Sequence, residues 1–273
     1  MQFIDLIFPA RARARAQFLS TLSPVVVMGR GHSGTRILSF ICAHLGINLG
    51  AEEEAWAGDV SDRTFQKQIK SIALKSLDVT CIEQVRPAEL GRFRYAVFNY
   101  YEGLGRPATP WGWKFPETYL MGPCVAATFP KVKILHMVRD GRDVAFKQHL
   151  TDNPRKKLGR AVLGVRNALD QPHHLQAAQS WAFQVEHFEA FKKSFPRDQM
   201  LSLTFEELCT RPEEIVKGLC EFLDMPMTEA CANYLKGGID QRKVAQYREA
   251  DPKLVREVEE RVGPVLERYG YLA

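Results

Sequence analysis

Residues 24–45 read PVVVMGRGHSGTRILSFICAHL. The opening Pro24-Val25-Val26-Val27-Met28 is a short apolar, β-branched run, which predicts a strand buried on both faces. Gly29 to Gly34 interrupts it. From Thr35 the apolar residues Ile37, Leu38, Ile41, Cys42 and Leu45 recur at helical spacing, and Gly46 ends the helix. The unit is strand, glycine turn, helix. Successive backbone N–H groups in such a turn converge on one point, and the helix N-terminus adds positive potential, so phosphate or sulfate fits there.

The rest of the chain repeats that alternation. Residues 132–138 (VKILHMV) and 200–204 (MLSLT) predict two further strands, and helices are expected over 63–77, 174–193, 212–224 and 252–268. Residues 50–62 form a carboxylate-rich loop. Residues 102–112 form a long irregular connection punctuated by glycine and proline, and 152–172 a polar surface excursion. Strands alternating with helices imply an α/β fold of three layers. It has a central, mainly parallel sheet of about five strands with helices on both faces, a P-loop-like nucleotide-binding fold with its site at the strands' C-terminal ends. No linker, repeat or low-complexity tract divides the chain, so 1–273 is read as a single domain, with 1–22 as an N-terminal basic extension.

A hydrophobic share of 45% and a charged share of 25% exclude disordered, collagenous and coiled-coil classes. The net charge of +5 suits an anionic ligand but is too small to imply a nucleic-acid partner. No apolar run reaches the ~20 residues of a membrane span. Arg11, Arg13 and Arg15 could touch a membrane surface peripherally, although a solvated face is the plainer reading. The six cysteines have no CxxC or zinc-type spacing and sit in apolar stretches, as expected of free thiols in a reducing compartment. The expected location is cytoplasmic. His173-His174 lacks a third ligand at suitable spacing, so a surface pair is expected and no metal site is assigned.

Gly29 and Gly34 have the spacing of the nucleotide triphosphatase loop G-x-x-x-x-G-K-[ST]. The next two positions depart from it. Thr35 replaces the lysine and Arg36 the magnesium-binding serine or threonine. The turn can therefore cradle phosphate without the usual metal ligand, which weighs against an ATP-dependent small-molecule kinase.

With these residues the chain resembles the sulfotransferases that use 3′-phosphoadenosine 5′-phosphosulfate (PAPS), in their bacterial and Golgi-type branch. The family's [KR]-[ST]-G-T-[ST] turn corresponds to His32-Ser33-Gly34-Thr35-Arg36. Its R-D-P-R-D-V motif corresponds to Arg139-Asp140-Gly141-Arg142-Asp143-Val144. Its Y-E-[DE]-L segment corresponds to Phe205-Glu206-Glu207-Leu208, followed by Pro212, and its terminal G-Y to Gly270-Tyr271. The resemblance implies sulfuryl transfer from PAPS to a hydroxyl or amine on a small molecule, carbohydrate or lipid, with release of 3′-phosphoadenosine 5′-phosphate (PAP) and no metal. It places Arg30, Gly31, His32, Ser33, Gly34, Thr35 and Arg36 on the 5′-phosphosulfate and Arg139 on the 3′-phosphate. Lys147 stands where the family has a serine. Arg242 and Arg248 lie in a late segment that closes over the nucleotide.

The histidine of the cytosolic branch's K-T-H-x-P motif is absent from Lys114-Phe115-Pro116-Glu117, although Lys114 aligns. Lys114 and His32 are expected to stabilise the leaving group. The base that takes the acceptor's proton is expected among Glu52-Glu53-Glu54, at Glu53 or Glu54, with Glu117 and His32 in reserve. Trp56 could stack on adenine or acceptor. Two rivals remain: the kinase, and a non-catalytic nucleotide- or polyanion-binding protein on the same scaffold.

Overall fold

The computed structural model describes residues 9–50, 58–237 and 239–272. Strands β1 (Val25–Met28), β2 (Gly112–Lys114), β3 (Lys133–Val138) and β4 (Met200–Thr204) form one sheet in the order β2-β1-β3-β4. Every pairing is parallel, with Val27 opposite both Lys114 and Leu135, and Val138 opposite Thr204. The sheet thus has four strands among the described residues, where about five were expected. The bridge Asn48–Trp111 extends the β2 edge without making another strand.

The pleat divides β1 between two cores. Val26 and Met28 enter one with Leu19, Phe65, Trp113 and Phe188. Val25 and Val27 enter the other with Leu38, Ile41, Leu135 and Leu219. The first face carries α1 (Pro9–Ser20), α3 (Arg63–Ala73), α4 (Pro87–Gly103), α5 (Gly122–Ala126) and part of the long helix His173–Phe191. The second carries α2 (Thr35–His44) and the helices Phe205–Thr210, Pro212–Leu223 and Glu229–Gly237. Helices on both faces explain why β1 is apolar at every position.

Beyond β3 come α6 (Gly141–Ala145), α7 (Lys157–Val165) and α8 (His173–Phe191). After β4 follow α9 (Phe205–Thr210), α10 (Pro212–Leu223), α11 (Glu229–Gly237) and α12 (Pro252–Arg268). A third core joins Val144, Trp181, Val258 and Leu266 where α6, α8 and α12 meet.

Three segments differ from the sequence reading. Residues 152–172, taken as a polar excursion, contain α7, whose Leu158, Val162 and Leu163 are buried. The glycine- and proline-rich connection ends in β2, whose three residues are too few to show a period. The basic N-terminal segment is helical from Pro9. Its Leu19 is fully buried against the first core, and the Arg15 guanidinium lies 4.9 Å over the Tyr95 ring of α4.

The strand order positions the site. From β1 the chain passes to β2 on one side and then to β3 on the other. The turns leaving the C-terminal ends of β1 and β3 therefore diverge and open a crevice between them. The turn after β1 is Gly29–Gly34; the turn after β3 begins at Arg139.

Candidate functional site

The turn after β1 is built by steric necessity. Gly34 caps α2 at φ +93°, and a side chain there would strike the Phe205 ring at 2.4 Å. A side chain on Gly31 would lie 2.3 Å from the His149 ring. His32 also takes positive φ, +70°, at a cost of about 1–2 kcal/mol. Ser33 N–H turns back to the Arg30 carbonyl at 3.0 Å. The N-cap offers no side-chain acceptor, and the Thr35 and Arg36 amides have no preceding turn of helix to bond. The result is a cradle of amides at the positive end of a helix, suited to an anionic group.

One flank is a short turn, Leu150–Asp152. The Arg30 side chain is buried and forms an ion pair with Asp152, and it also donates to the Gly31 carbonyl at 2.8 Å. The other Asp152 oxygen accepts from His149 N–H at 2.8 Å. The Arg30 guanidinium, expected on the ligand, thus holds the turn through its two terminal nitrogens, while its buried Nε has no hydrogen-bond partner. His32 Nε2 donates to the Gln148 carbonyl at 2.7 Å. Burial lowers the pKa of His32, and lowers that of His149 well below the ordinary histidine value, with Arg30 adding to the second shift. Both rings are therefore neutral at pH 7, and His32 acts as a hydrogen-bonding group there, not as a cation.

The other flank is the turn after β3. Arg139 donates to Asp143 at 2.8 and 3.1 Å, to the His32 carbonyl at 3.3 Å and to the Lys243 carbonyl. Its guanidinium stacks 4.2 Å over Phe205. A single side chain therefore ties the first turn to the second and both to the late segment. Tyr247 N–H donates to Asp143 at 2.8 Å, and Lys147 Nζ to Gln246 at 3.2 Å. The late segment thus lies against Arg139, Asp143 and Lys147. Its arginines do not join that cluster: Arg242 is 91% exposed and pairs with Asp240, and Arg248 is exposed. Asp140 and Asp143 serve as helix cap and ion-pair partners of Arg142 and Arg139.

The third side is the end of β2. Lys114, 4% exposed, donates to Asp59 Oδ1 at 2.5 Å. Burial lowers the pKa of Lys114 and Asp59 opposes that shift; Arg36 lies within electrostatic reach. Glu117 is 1% exposed, and its Oε2 has no hydrogen-bond partner. Burial pushes its carboxyl up to about 7 against the pull of Lys70 and Lys114. Glu53, Glu54 and Trp56 lie outside the described residues. His174 pairs with Glu257 at 2.9 Å. Among the described residues, no group of histidine, cysteine or acidic side chains is placed to hold a metal ion, and no helix is long and apolar enough to cross a membrane.

The sequence reading passed over Asp59, Asp152 and His149. Asp152 falls at the start of the stretch 152–172 read as surface and His149 just before it, and their roles arise from contacts more than a hundred residues away in sequence. Asp59 sits in a loop whose other carboxylates drew the attention.

Residues 24–229 match the model of the sulfotransferase family. The chain belongs to the sulfotransferase family. A protein-tyrosine sulfotransferase from Drosophila melanogaster is 23% identical over 211 residues, which is 77% of this chain and 40% of that protein. The chain thus spans about two fifths of that relative's length. The sulfotransferase domain from the curacin biosynthetic pathway superimposes with a TM-score of 0.51 at 15% identity, over 88% of this chain and 97% of the domain. Sulfotransferase STF9 from Mycobacterium avium gives 0.52 at 11% identity, over 96% and 82%. At these identities the structural likeness establishes the sulfotransferase fold, and the matched span contains both turns that flank the crevice.

Proposed function

We propose that this chain transfers the sulfuryl group of PAPS to an acceptor hydroxyl and releases PAP. One juxtaposition carries the reading. Arg139, at the end of β3, reaches the backbone of His32 in the turn after β1. An amide cradle for one anionic group thereby faces, across one crevice, the Arg139 guanidinium, which a second anionic group would share with Asp143 and the His32 and Lys243 carbonyls. A nucleotide bearing phosphate at both its 5′ and 3′ positions needs that pair of sites. The cradle suits the 5′ group because the Thr35 and Arg36 amides open α2 with no side-chain cap to occupy them.

PAPS supplies an activated sulfuryl group whose leaving phosphate gains negative charge. The Thr35 and Arg36 amides and the Lys114 ammonium are fixed in place before reaction, which is the condition for electrostatic stabilisation without reorganisation. Asp59 favours the charged form of Lys114 despite its burial. Neutral His32 holds its ring through Gln148 and adds a polar edge. Lys147 and Arg139 face the late segment, where Lys147 supplies charge in place of the family's serine. Arg242 and Arg248 stand exposed on the same late segment.

A cleft of about 540 Å³ opens beside the cradle, lined by His149, Asn153, Arg155, Lys156 and His173 among others. It is the acceptor side of the site in this reading. The relative in Drosophila acts on protein tyrosine by its name, so a phenolic hydroxyl is the first acceptor class to test. Purified protein is incubated with sulfur-labelled PAPS and a panel of tyrosine peptide, simple phenol, oligosaccharide and hydroxylated lipid. Label transfer to any of these, abolished in Lys114→Met, supports the reading. Phosphate transfer from magnesium-ATP to the same panel would replace it with the kinase.

A further inference from the structure

Sulfuryl transfer to a hydroxyl requires a group to take the acceptor's proton, and the histidine of the K-T-H-x-P motif is replaced by Pro116. The structure offers a carboxylate in its stead. Asp59 follows Gly58, which takes φ +73° and packs against Ser39 of α2 so closely that a side chain there would lie 2.9 Å from Ser39. The Ser39 hydroxyl donates to the Gly58 carbonyl at 2.8 Å. On the other side Val60 N–H donates to the Lys114 carbonyl at 3.1 Å, and Gln66 holds the Val60 carbonyl at 2.7 Å. The backbone of Asp59 is therefore fastened to the helix that starts the cradle and to the strand that carries Lys114.

From that mount Asp59 Oδ1 meets Lys114 Nζ, while the side chain stays 27% exposed. Lys114 is buried; Asp59 is the partner that solvent, and so an acceptor, can reach. The charged groups that surround the pair are Arg36 on α2, Lys70 on α3 and Glu117 after β2. Glu117 is enclosed and cannot touch an acceptor.

We propose that Asp59 is the general base of the transfer reaction. The acceptor oxygen forms its bond to sulfur as the bond from sulfur to the bridging phosphate oxygen breaks. The electron pair of the broken bond goes to the leaving phosphate beside Lys114. The acceptor's proton passes to the Asp59 carboxylate. Lys114 sits between the two charges that change, so the base and the leaving-group cation are one ion pair.

This inference rests on the sulfotransferase reading, and the test separates the two. Wild type, Asp59→Asn, Asp59→Glu, Lys114→Met, Glu53→Gln and Glu54→Gln are titrated calorimetrically with PAP and assayed for label transfer across pH 5–9. Asp59→Asn is expected to lose about 10²–10⁴-fold in kcat. It should keep PAP affinity within about threefold of wild type, a margin of ~0.6 kcal/mol. Asp59→Glu should restore part of the rate. Transfer by Asp59→Asn at near wild-type rate overturns the proposal, as does a loss confined to Glu53→Gln or Glu54→Gln. Loss of PAP affinity in Asp59→Asn in step with Lys114→Met also overturns it, because Asp59 would then only position the lysine. Wild type that neither binds PAP nor transfers label overturns the sulfotransferase reading itself.

Discussion

Glu117 is the clearest place to test the electrostatics around Lys114. Its carboxyl is enclosed, with one oxygen unpartnered, and titrates at about 7 where an ordinary glutamate titrates at 4.5. That difference makes the ionised form about 3 kcal/mol less favourable in the fold than in the unfolded chain. Between pH 4.5 and about 7 the folded state binds the proton more tightly than the unfolded state does. Stability contributed by this group therefore falls as pH rises through that window, and the full cost is present above it. Glu117→Gln keeps the shape and removes the charge. Denaturant unfolding of wild type and variant at pH 5 and pH 8 isolates the effect, since other groups cancel in the difference. The variant should be within ~1 kcal/mol of wild type at pH 5 and more stable by up to about 3 kcal/mol at pH 8. An equal difference at the two pH values would refute the account of a buried, proton-poised carboxyl.

Two further perturbations address the walls of the crevice. Arg139→Ala should weaken PAP by roughly 10–100-fold, the worth of charge-assisted hydrogen bonds to phosphate, while Arg139→Lys retains part of the affinity; calorimetry reads both. Arg30→Met or Asp152→Asn alone should cost about 3–5 kcal/mol of stability by stranding a buried charge, whereas the double replacement Arg30→Met with Asp152→Leu should recover most of it in the same unfolding assay.

The turn after β1 was legible because its two constraints are local. An all-apolar strand and a helix-spaced run flank it, and glycine is the residue that tolerates both the φ of Gly34 and the approach of Phe205. The motif after β3 was legible for a similar reason, as strand and arginine are contiguous. β2 escaped because its burial is imposed by the sheet: three residues carry no pattern, and Trp113 reads as easily as a loop anchor. The helix α7 was hidden under a polar flank, Asn153 to Lys157, that masks its buried Leu158, Val162 and Leu163. The ion pair of Arg30 was not legible because neither its burial nor its partner Asp152, 122 residues away, leaves any local trace. Asp59 was missed because its distinction from the neighbouring glutamates is a contact with Lys114 across 55 residues.

The central claim is that the crevice holds a nucleotide with phosphate at both 5′ and 3′ positions. Calorimetric titration with PAP in the presence of EDTA, beside ATP with magnesium, tests it most directly. The account predicts PAP binding at micromolar Kd or tighter, about −8 kcal/mol or better, with no metal present and ATP much weaker. No PAP binding, or tight binding of magnesium-ATP alone, would contradict it.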